Sequence, residues 1–299
     1  MTLCDSLKSR YCWAEDSIKK DGLNIFLNNI LKEIKYKMIV CLYLKSGLKY
    51  KIEKIQGSKM YLDLSDKGIS RDLIRDKKRE ITSSEEVKKL LKQNDVVLEI
   101  GANIGYYALM ESRIVEKNGV IYACEPVGKN YEILNRNTKI NNYKNIETYK
   151  IALGDTNQKG KINISKCSNL HSMSENFNSV ETIEVDVLTV DTFLKDKEIP
   201  TLIRMDVEGY EGKIIKGMEK TLMNKKLKNL YIELHPSLMK NDEMMELLKT
   251  LKKRGFKISK MTLGTIPELI IDDITIDEIL RKGMPKPHRV GAETFFIRD

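Results

Sequence analysis

The chain has 299 residues, 41% hydrophobic and 32% charged, with 52 Lys and Arg against 43 Asp and Glu for a net charge of +9. That is apolar material for one large core, or for a main domain with a smaller partner, and it excludes a disordered chain. The five cysteines, Cys4, Cys12, Cys41, Cys124 and Cys167, form no Cys-x-x-Cys pair, which excludes a recognisable zinc motif or disulfide framework and points to a reducing cytoplasm.

No run approaches the roughly 20 apolar residues a membrane span needs, and the first residues lack the basic start, apolar core and cleavage site of a signal peptide. A soluble, cytoplasmic protein is therefore expected. The lysines are scattered over amphipathic faces rather than gathered in an Arg-rich run with interleaved aromatics, so nucleic acid is a disfavoured partner.

Residues 1 to about 45 read as one or two helices, with Ile25, Phe26, Ile30, Leu31, Ile34 and Met38 recurring at intervals of three and four. The lysine-bearing stretch from Leu23 to Leu44 is expected to pack on the rest of the protein, with peripheral contact to a membrane surface as the alternative. Tyr50 to Ile55 and Lys59 to Leu64 alternate apolar with polar around Gln56-Gly57-Ser58, a hairpin signal. Ser83-Ser84-Glu85-Glu86 ahead of Val87, Leu90 and Leu91 reads as an N-cap with early acids, opening a helix that runs to Asn94-Asp95. Residues 1–82 form an accessory region on this reading, and 83–299 the main domain.

Val96 to Ile100 is a continuous apolar strand interrupted only by Glu99 and closed by Gly101; helical spacing resumes from Ile104 to Lys117. The Glu-x-Gly-x-x-x-Gly spacing is neither that of a dinucleotide fold nor that of a phosphate loop. It suits a nucleoside cofactor without a diphosphate. A second strand, Val120 to Cys124, ends at Glu125-Pro126 and is followed by a helix from Asn130 to Ile140; a third, Ile146 to Ala152, ends at Leu153-Gly154-Asp155. Lys161 to Ser165 and Thr182 to Val187 read as an inserted antiparallel pair, near 156–187, placed for substrate contacts. Thr201 to Asp206 is a fourth strand with a helix from Glu208 towards Leu222. Leu230 to Pro236 is a fifth, with a helix from Asp242 to Arg254, and Lys257 to Met261 and Thr294 to Arg298 close the chain as strands. The alternation predicts an α/β fold with a mostly parallel, Rossmann-like sheet covered on both faces.

In such sheets ligands bind beyond the carboxyl ends of the strands. Those ends collect Glu99, Gly101 and Asn103, then Glu125-Pro126, Gly154-Asp155, Asp206 with Glu208, and Glu233 with His235. Glu125, ending the second strand, is assigned to the two ribose hydroxyls of a nucleoside, with capping of the next helix as its structural alternative.

Taken together, Glu99-x-Gly101-Ala102-Asn103-Ile104-Gly105-Tyr106, Glu125-Pro126, Arg204-Met205-Asp206-Val207-Glu208-Gly209-Tyr210-Glu211 and Ile232-Glu233-Leu234-His235 resemble the FkbM family of S-adenosylmethionine-dependent methyltransferases. The resemblance covers roughly residues 60–260. It implies a seven-stranded sheet with an antiparallel last strand, S-adenosyl-L-methionine on the first three strand ends, and methylation of a hydroxyl on a sugar, polyketide or glycolipid. Carried over by position, it places Glu99, Gly101 and Asn103 at the methionine part of the cofactor, Glu125 at its ribose, and Ala152 and Leu153 beside the adenine. Ala102, Gly105, Tyr106, Pro126 and Asp206 count among the cofactor-binding residues as well. The absence of an Asn-Pro-Pro-Tyr or Asp-Pro-Pro-Tyr string speaks against methylation of adenine amino groups. A covalent cytosine mechanism lacks its Pro-Cys nucleophile.

Methyl transfer to a hydroxyl needs a base or a cation within hydrogen-bond reach. Asp206, Glu208, Glu233 and His235 are the catalytic candidates, Glu208 and Glu233 having loop anchoring as their structural alternative. Asp206, Glu233 and His235 suit a divalent cation, or His235 serves alone as base. His171, in the insertion, is a candidate substrate contact; His288 reads as a surface residue. The expected function is O-methylation of a small-molecule, glycan or lipid-linked acceptor. RNA methylation and a catalytically inactive cofactor-binding module are the second and third readings.

Overall fold

A computed structural model describes residues 23–174, 179–263, 269–285 and 291–298; Cys4, Cys12 and His288 lie outside the described residues. Helix α1 (Leu23–Lys45) leads into a hairpin of β1 (Tyr50–Ile55) and β2 (Ser58–Asp63). Ile55 pairs with Ser58 across a two-residue turn in which Gln56 and Gly57 have φ of 48° and 87°. Such a turn requires positive φ at both central positions, and its twist matches that of the strands.

Helix α2 (Ile69–Asp76) follows, and then α3 (Ile81–Leu90). The start of α3 corrects the sequence expectation. Ser83 is buried inside the helix, and Glu80 takes the cap position at φ 42° without a capping bond of its own side chain. The Glu80 carboxylate is committed elsewhere, accepting from Arg79 Nη2 at 2.9 Å and from the Tyr107 hydroxyl at 3.0 Å.

The main alternation comprises β3 (Val96–Ile100), α4 (Tyr106–Val115), β4 (Val120–Cys124), α5 (Gly128–Ile140) and β5 (Ile146–Tyr149). An insertion of β6 (Ala152–Gly154), β7 (Gln158–Ile164) and β8 (Glu181–Thr189) makes a separate sheet in the order β6-β8-β7. Then come α6 (Val190–Phe193), β9 (Leu202–Met205), α7 (Glu211–Lys216), α8 (Glu219–Met223), β10 (Asn229–Leu234) and α9 (Asn241–Lys253). The described chain closes with β11 (Lys257–Leu263), β12 (Leu269–Ile271), α10 (Ile276–Lys282) and β13 (Ala292–Ile297).

The large sheet has the order β12-β11-β13-β10-β9-β3-β4-β5. β10, β9, β3, β4 and β5 run parallel, and β13 is antiparallel to both β10 and β11. Seven of these strands match the expected Rossmann-like methyltransferase pattern with its antiparallel last strand, and β12 adds an eighth at the edge. Strand order reverses between β3, from which the chain proceeds outward through β4, and β9, from which it proceeds the other way. Ligand crevices form at such a switch point.

The expected third strand is split in two. Its ladder ends where Glu125 N–H donates to the Tyr149 carbonyl; next in the partner strand comes Pro126, which has no N–H, so Ala152–Gly154 pairs with β8 instead. The helix expected from Glu208 is also displaced. Glu208 and Gly209 have φ of 53° and 97°, and this left-handed pair turns the chain before α7 begins at Glu211.

β3 is buried on both faces, as its apolar run predicts. Val96, Leu98 and Ile100 join Ile203, Met205, Leu230 and Ile232 in one core with α6 to α10. Val97, Leu202 and Tyr231 face a second core containing the hairpin, α2, α3, α4 and α5. Helix α1 lays Tyr36, Ile39, Val40 and Tyr43 on this second core and is pinned by Arg71 to Glu33 at 2.8 Å and Lys32 to Asp76 at 2.9 Å. Its opposite side exposes Leu27, Leu31, Ile34, Met38 and Leu42. Among the described residues no helix is long and apolar enough to cross a membrane.

Candidate functional site

The turn after β3 brings two backbones together. Gly101 has φ 84°, and a Cβ there would run into the carbonyl oxygen of Asp206 at the end of β9. Only glycine meets both conditions. Next, Asn103 at φ 49° points its N–H at Glu125 Oε2, 2.9 Å away, while Val127 N–H donates to Glu125 Oε1, also at 2.9 Å. Glu125 thereby ties the turn after β3 to the turn before α5, is also hydrogen-bonded by the Asn130 side chain, and borders the cleft. Burial pushes its pKa up to about 7.

A cleft of about 620 Å³ opens here, between the strand ends and the insertion. Gly101, Asn103, Glu125 and Pro126 line it together with the apolar Ala152, Leu153 and Ile162, and Asp206 and Glu208 border it as well. The insertion loop makes the outer side. The Ser168 carbonyl accepts from Asn103 Nδ2 at 2.9 Å and Asn130 Nδ2 at 3.1 Å, and its hydroxyl donates to Asp66 Oδ2 at 2.7 Å. His171 also lines the cleft; its Nδ1 accepts from Ser165 N–H at 3.0 Å, and burial lowers its pKa to about 4, so it is neutral.

Three residues assigned to the cofactor by sequence do not line this cleft. Glu99, Ala102 and Tyr106 border a second, smaller cavity of about 340 Å³ on the other side of the Gly101–Asp206 crossing. Gly105 lines neither: at φ 93° it precedes α4, and a Cβ would come within 2.8 Å of Leu134. Tyr106 is tied to Arg79, its hydroxyl donating to that residue's carbonyl at 2.6 Å and accepting from its N–H at 3.1 Å. Glu99 is fully buried, 3.4 Å from Arg204 Nη1. Arg204 lies 3.7 Å from the centre of the Tyr107 ring and 3.6 Å from Asp206 Oδ2.

Sequence reasoning assigned no role to Arg79 or Arg204. A usable signal was present for the second: Glu99 and Arg204 are the lone charges in two buried strands, and the parallel register pairs them.

The acidic end is built by β9, the turn after it, and β10. His235 is fully buried; its Nδ1–H donates to Glu211 Oε1 at 2.7 Å, and the same oxygen accepts from Gly209 N–H at 3.1 Å. Its Nε2 lies 3.3 Å from Glu208 Oε2 and 3.6 Å from Glu233 Oε1. Burial lowers the imidazole's pKa, but Glu211, Glu233 and Glu208 override this and hold it well above the ordinary value. Burial raises Glu208 to about 8 against the opposing pull of His235, and burial with the nearby Asp206 raises Glu233 well above the usual range. Asp206 and Glu208 touch the cleft, whereas Glu233 and His235 sit behind them. Asp206, Glu208 and His235 bring possible ligand atoms within 4.8 Å of one another.

The family model for the Methyltransferase FkbM domain matches residues 99–258, more than half of the chain. The chain belongs to the FkbM methyltransferase family. The FkbM match runs from Glu99 through the insertion and both acidic strand ends. It leaves the hairpin, α1, α2 and α3 outside.

Among solved structures, the FkbM chain is similar to Methyltransferase FkbM from Methylobacillus flagellatus KT, with 21% identity over 48% of this chain and 33% of that one and a TM-score of 0.35. It is also similar to Trm5b from Pyrococcus abyssi, with 14% identity over 83% and 56% of the two chains and a TM-score of 0.45. TYW2 from M. jannaschii, in complex with AdoMet, gives 16% identity over 84% and 87% with a TM-score of 0.43. The chain thus spans a third of the first protein and just over half of the second. No curated protein sequence matches it.

Proposed function

We propose that this FkbM-family chain is an S-adenosylmethionine-dependent O-methyltransferase acting on a hydroxyl of a sugar, glycolipid or related metabolite. One observation carries the reading. A single cleft is lined by the buried carboxylate of Glu125, a glycine turn, apolar side chains and the acids Asp206 and Glu208. The carboxylate and the apolar side chains suit an adenosine, and the acids a hydroxyl that must lose a proton. The chemistry of the donor set fits. Glu125 would accept from the ribose hydroxyls, Ala152 and Leu153 would flank the base, and Gly101, without a Cβ, would let the amino-acid part approach the backbone.

S-adenosylmethionine supplies an electrophilic methyl group on a sulfonium sulfur. Asp206 and Glu208 would orient the acceptor hydroxyl, and one of them would take up its proton. His235, fixed by Glu211, stands behind Glu208, its Nε2 3.3 Å from Oε2. His171 faces the same space as a neutral hydrogen-bonding group for the substrate.

Calorimetry with the purified chain tests the donor half: S-adenosylhomocysteine is expected to bind and a nicotinamide dinucleotide not to bind, and the opposite pattern ends the proposal. Incubating cell extract with the protein and a methyl-labelled donor tests the acceptor half. Label is expected in glycan, lipid or small-molecule fractions. Label in RNA, lost steeply as salt rises, overturns the acceptor class, and no label at all overturns the transfer activity.

A further inference from the structure

The acidic end of the cleft gathers four carboxyl groups, those of Asp206, Glu208, Glu211 and Glu233, around one imidazole, that of His235. The nearest guanidinium, that of Arg204, is shared with Glu99 and Glu80 as well as Asp206. Arg79 is spent on Glu80 and on Asp72, the latter at 3.3 Å. Acids alone are a common surface feature, but here a second observation points to a ligand. His235 Nε2 is buried and makes no hydrogen bond, although carboxylate oxygens stand 3.3 and 3.6 Å away. Buried polar atoms are normally satisfied, so one aimed into a cluster of acids marks a place for a missing partner.

We propose that Asp206, Glu208 and His235 bind a divalent cation, with His235 coordinating through Nε2. The other side of the ring supports this. Its Nδ1–H is held by the fully buried Glu211, the arrangement in which a carboxylate fixes the tautomer and orientation of a metal-bound imidazole. An ion ~2.1 Å from each ligand holds opposite ligands about twice that far apart, so ligand atoms within 4.8 Å of one another close on an ion by small side-chain rotations. Two carboxylates and one imidazole suit a first-row cation such as Mn²⁺ or Zn²⁺.

Glu233, placed among the ligands by sequence alone, gives up that position to Glu208. Its carboxylate packs against Gly291 and borders neither cavity, whereas Glu208 is turned inward by its left-handed backbone. The role of the ion rests on the methyltransferase reading: open to the cleft, it lowers the pKa of the acceptor hydroxyl.

The test uses the full chain, stripped with a chelator and titrated with Mn²⁺, uptake being read from the loss of the free-ion electron paramagnetic resonance signal. One Mn²⁺ per chain is expected. Asp206→Asn, Glu208→Gln and His235→Ala, each checked for folding by circular dichroism, should weaken uptake at least tenfold, and Glu211→Gln about tenfold. Because a variant can fail to fold, the bound ion in the unaltered protein is also probed by electron spin echo modulation, where coupling to an imidazole nitrogen is expected. No uptake of Mn²⁺ or competing Zn²⁺, or a bound ion without nitrogen coupling, overturns the site. Uptake is read without turnover. A chain that binds S-adenosylhomocysteine but no cation refutes the ion site alone, and one that binds the cation but not S-adenosylhomocysteine refutes the methyltransferase reading alone.

Discussion

Glu125 holds a carboxylate against two backbone N–H groups and still meets the cleft, and burial leaves its pKa at about 7. A charged carboxylate accepts hydrogen bonds from ribose hydroxyls more strongly than a neutral acid does. Because the folded pKa is raised, the charged form is reached only as pH climbs through about 7. S-adenosylhomocysteine affinity should therefore rise between pH 6 and pH 8 by roughly tenfold and then level off. In Glu125→Gln the affinity should be low and flat; a pH dependence that survives this change assigns it to another group. Arg204 supports a second prediction at this scale. Removing it strands the fully buried Glu99 without a cation, while Glu80 keeps only Arg79. Arg204→Leu should cost about 3–5 kcal/mol in urea unfolding, and a loss below about 1 kcal/mol would falsify the view that this guanidinium neutralises the core.

At the scale of elements, the wall of the cleft is assembled from stretches distant in sequence. Asp66, between β2 and α2, accepts from Gly68 and Ser70 N–H at 2.9 Å each, and from Ser168 N–H at 3.1 Å as well as its hydroxyl. One side chain thus starts α2 and ties the insertion loop over the cleft. Asp66→Ala should lower stability by ~1 kcal/mol, the usual worth of such a cap, and weaken S-adenosylhomocysteine binding about tenfold, the cost of one charge-assisted anchor. Unchanged calorimetric affinity would show that the loop closes without it. Regular elements were well marked in the sequence, as in the hairpin and β3, because period-two alternation and unbroken apolar runs record burial directly. The start of α3 was not. Ser83 has the residue type of a cap, but the carboxylate contacts of Glu80 with Arg79 and Tyr107 set the boundary, and none of these is a local property.

For the whole molecule, the hairpin and α2 share a core with α4 and α5: Met60, Leu62 and Leu73 pack in the same cluster as Leu109 and Leu134. The sheet order then decides which strand ends meet. β3 lies between β4 and β9, so Glu125 and Asp206 face one cleft although they are remote in the chain. By itself the sequence determined the alternating α/β pattern, the glycine turn at Gly101, and the delivery of Glu125, Asp206, Glu208 and His235 to strand ends. These follow from local periodicity and from what backbone conformation demands of a residue. Only the tertiary structure decided that Glu99 and Tyr106 border a neighbouring cavity, that Glu211 meets His235 Nδ1, and that Glu208 gathers with Asp206 and His235. Those outcomes depend on strand register and on two successive left-handed residues after β9, which set where a side chain ends up in space.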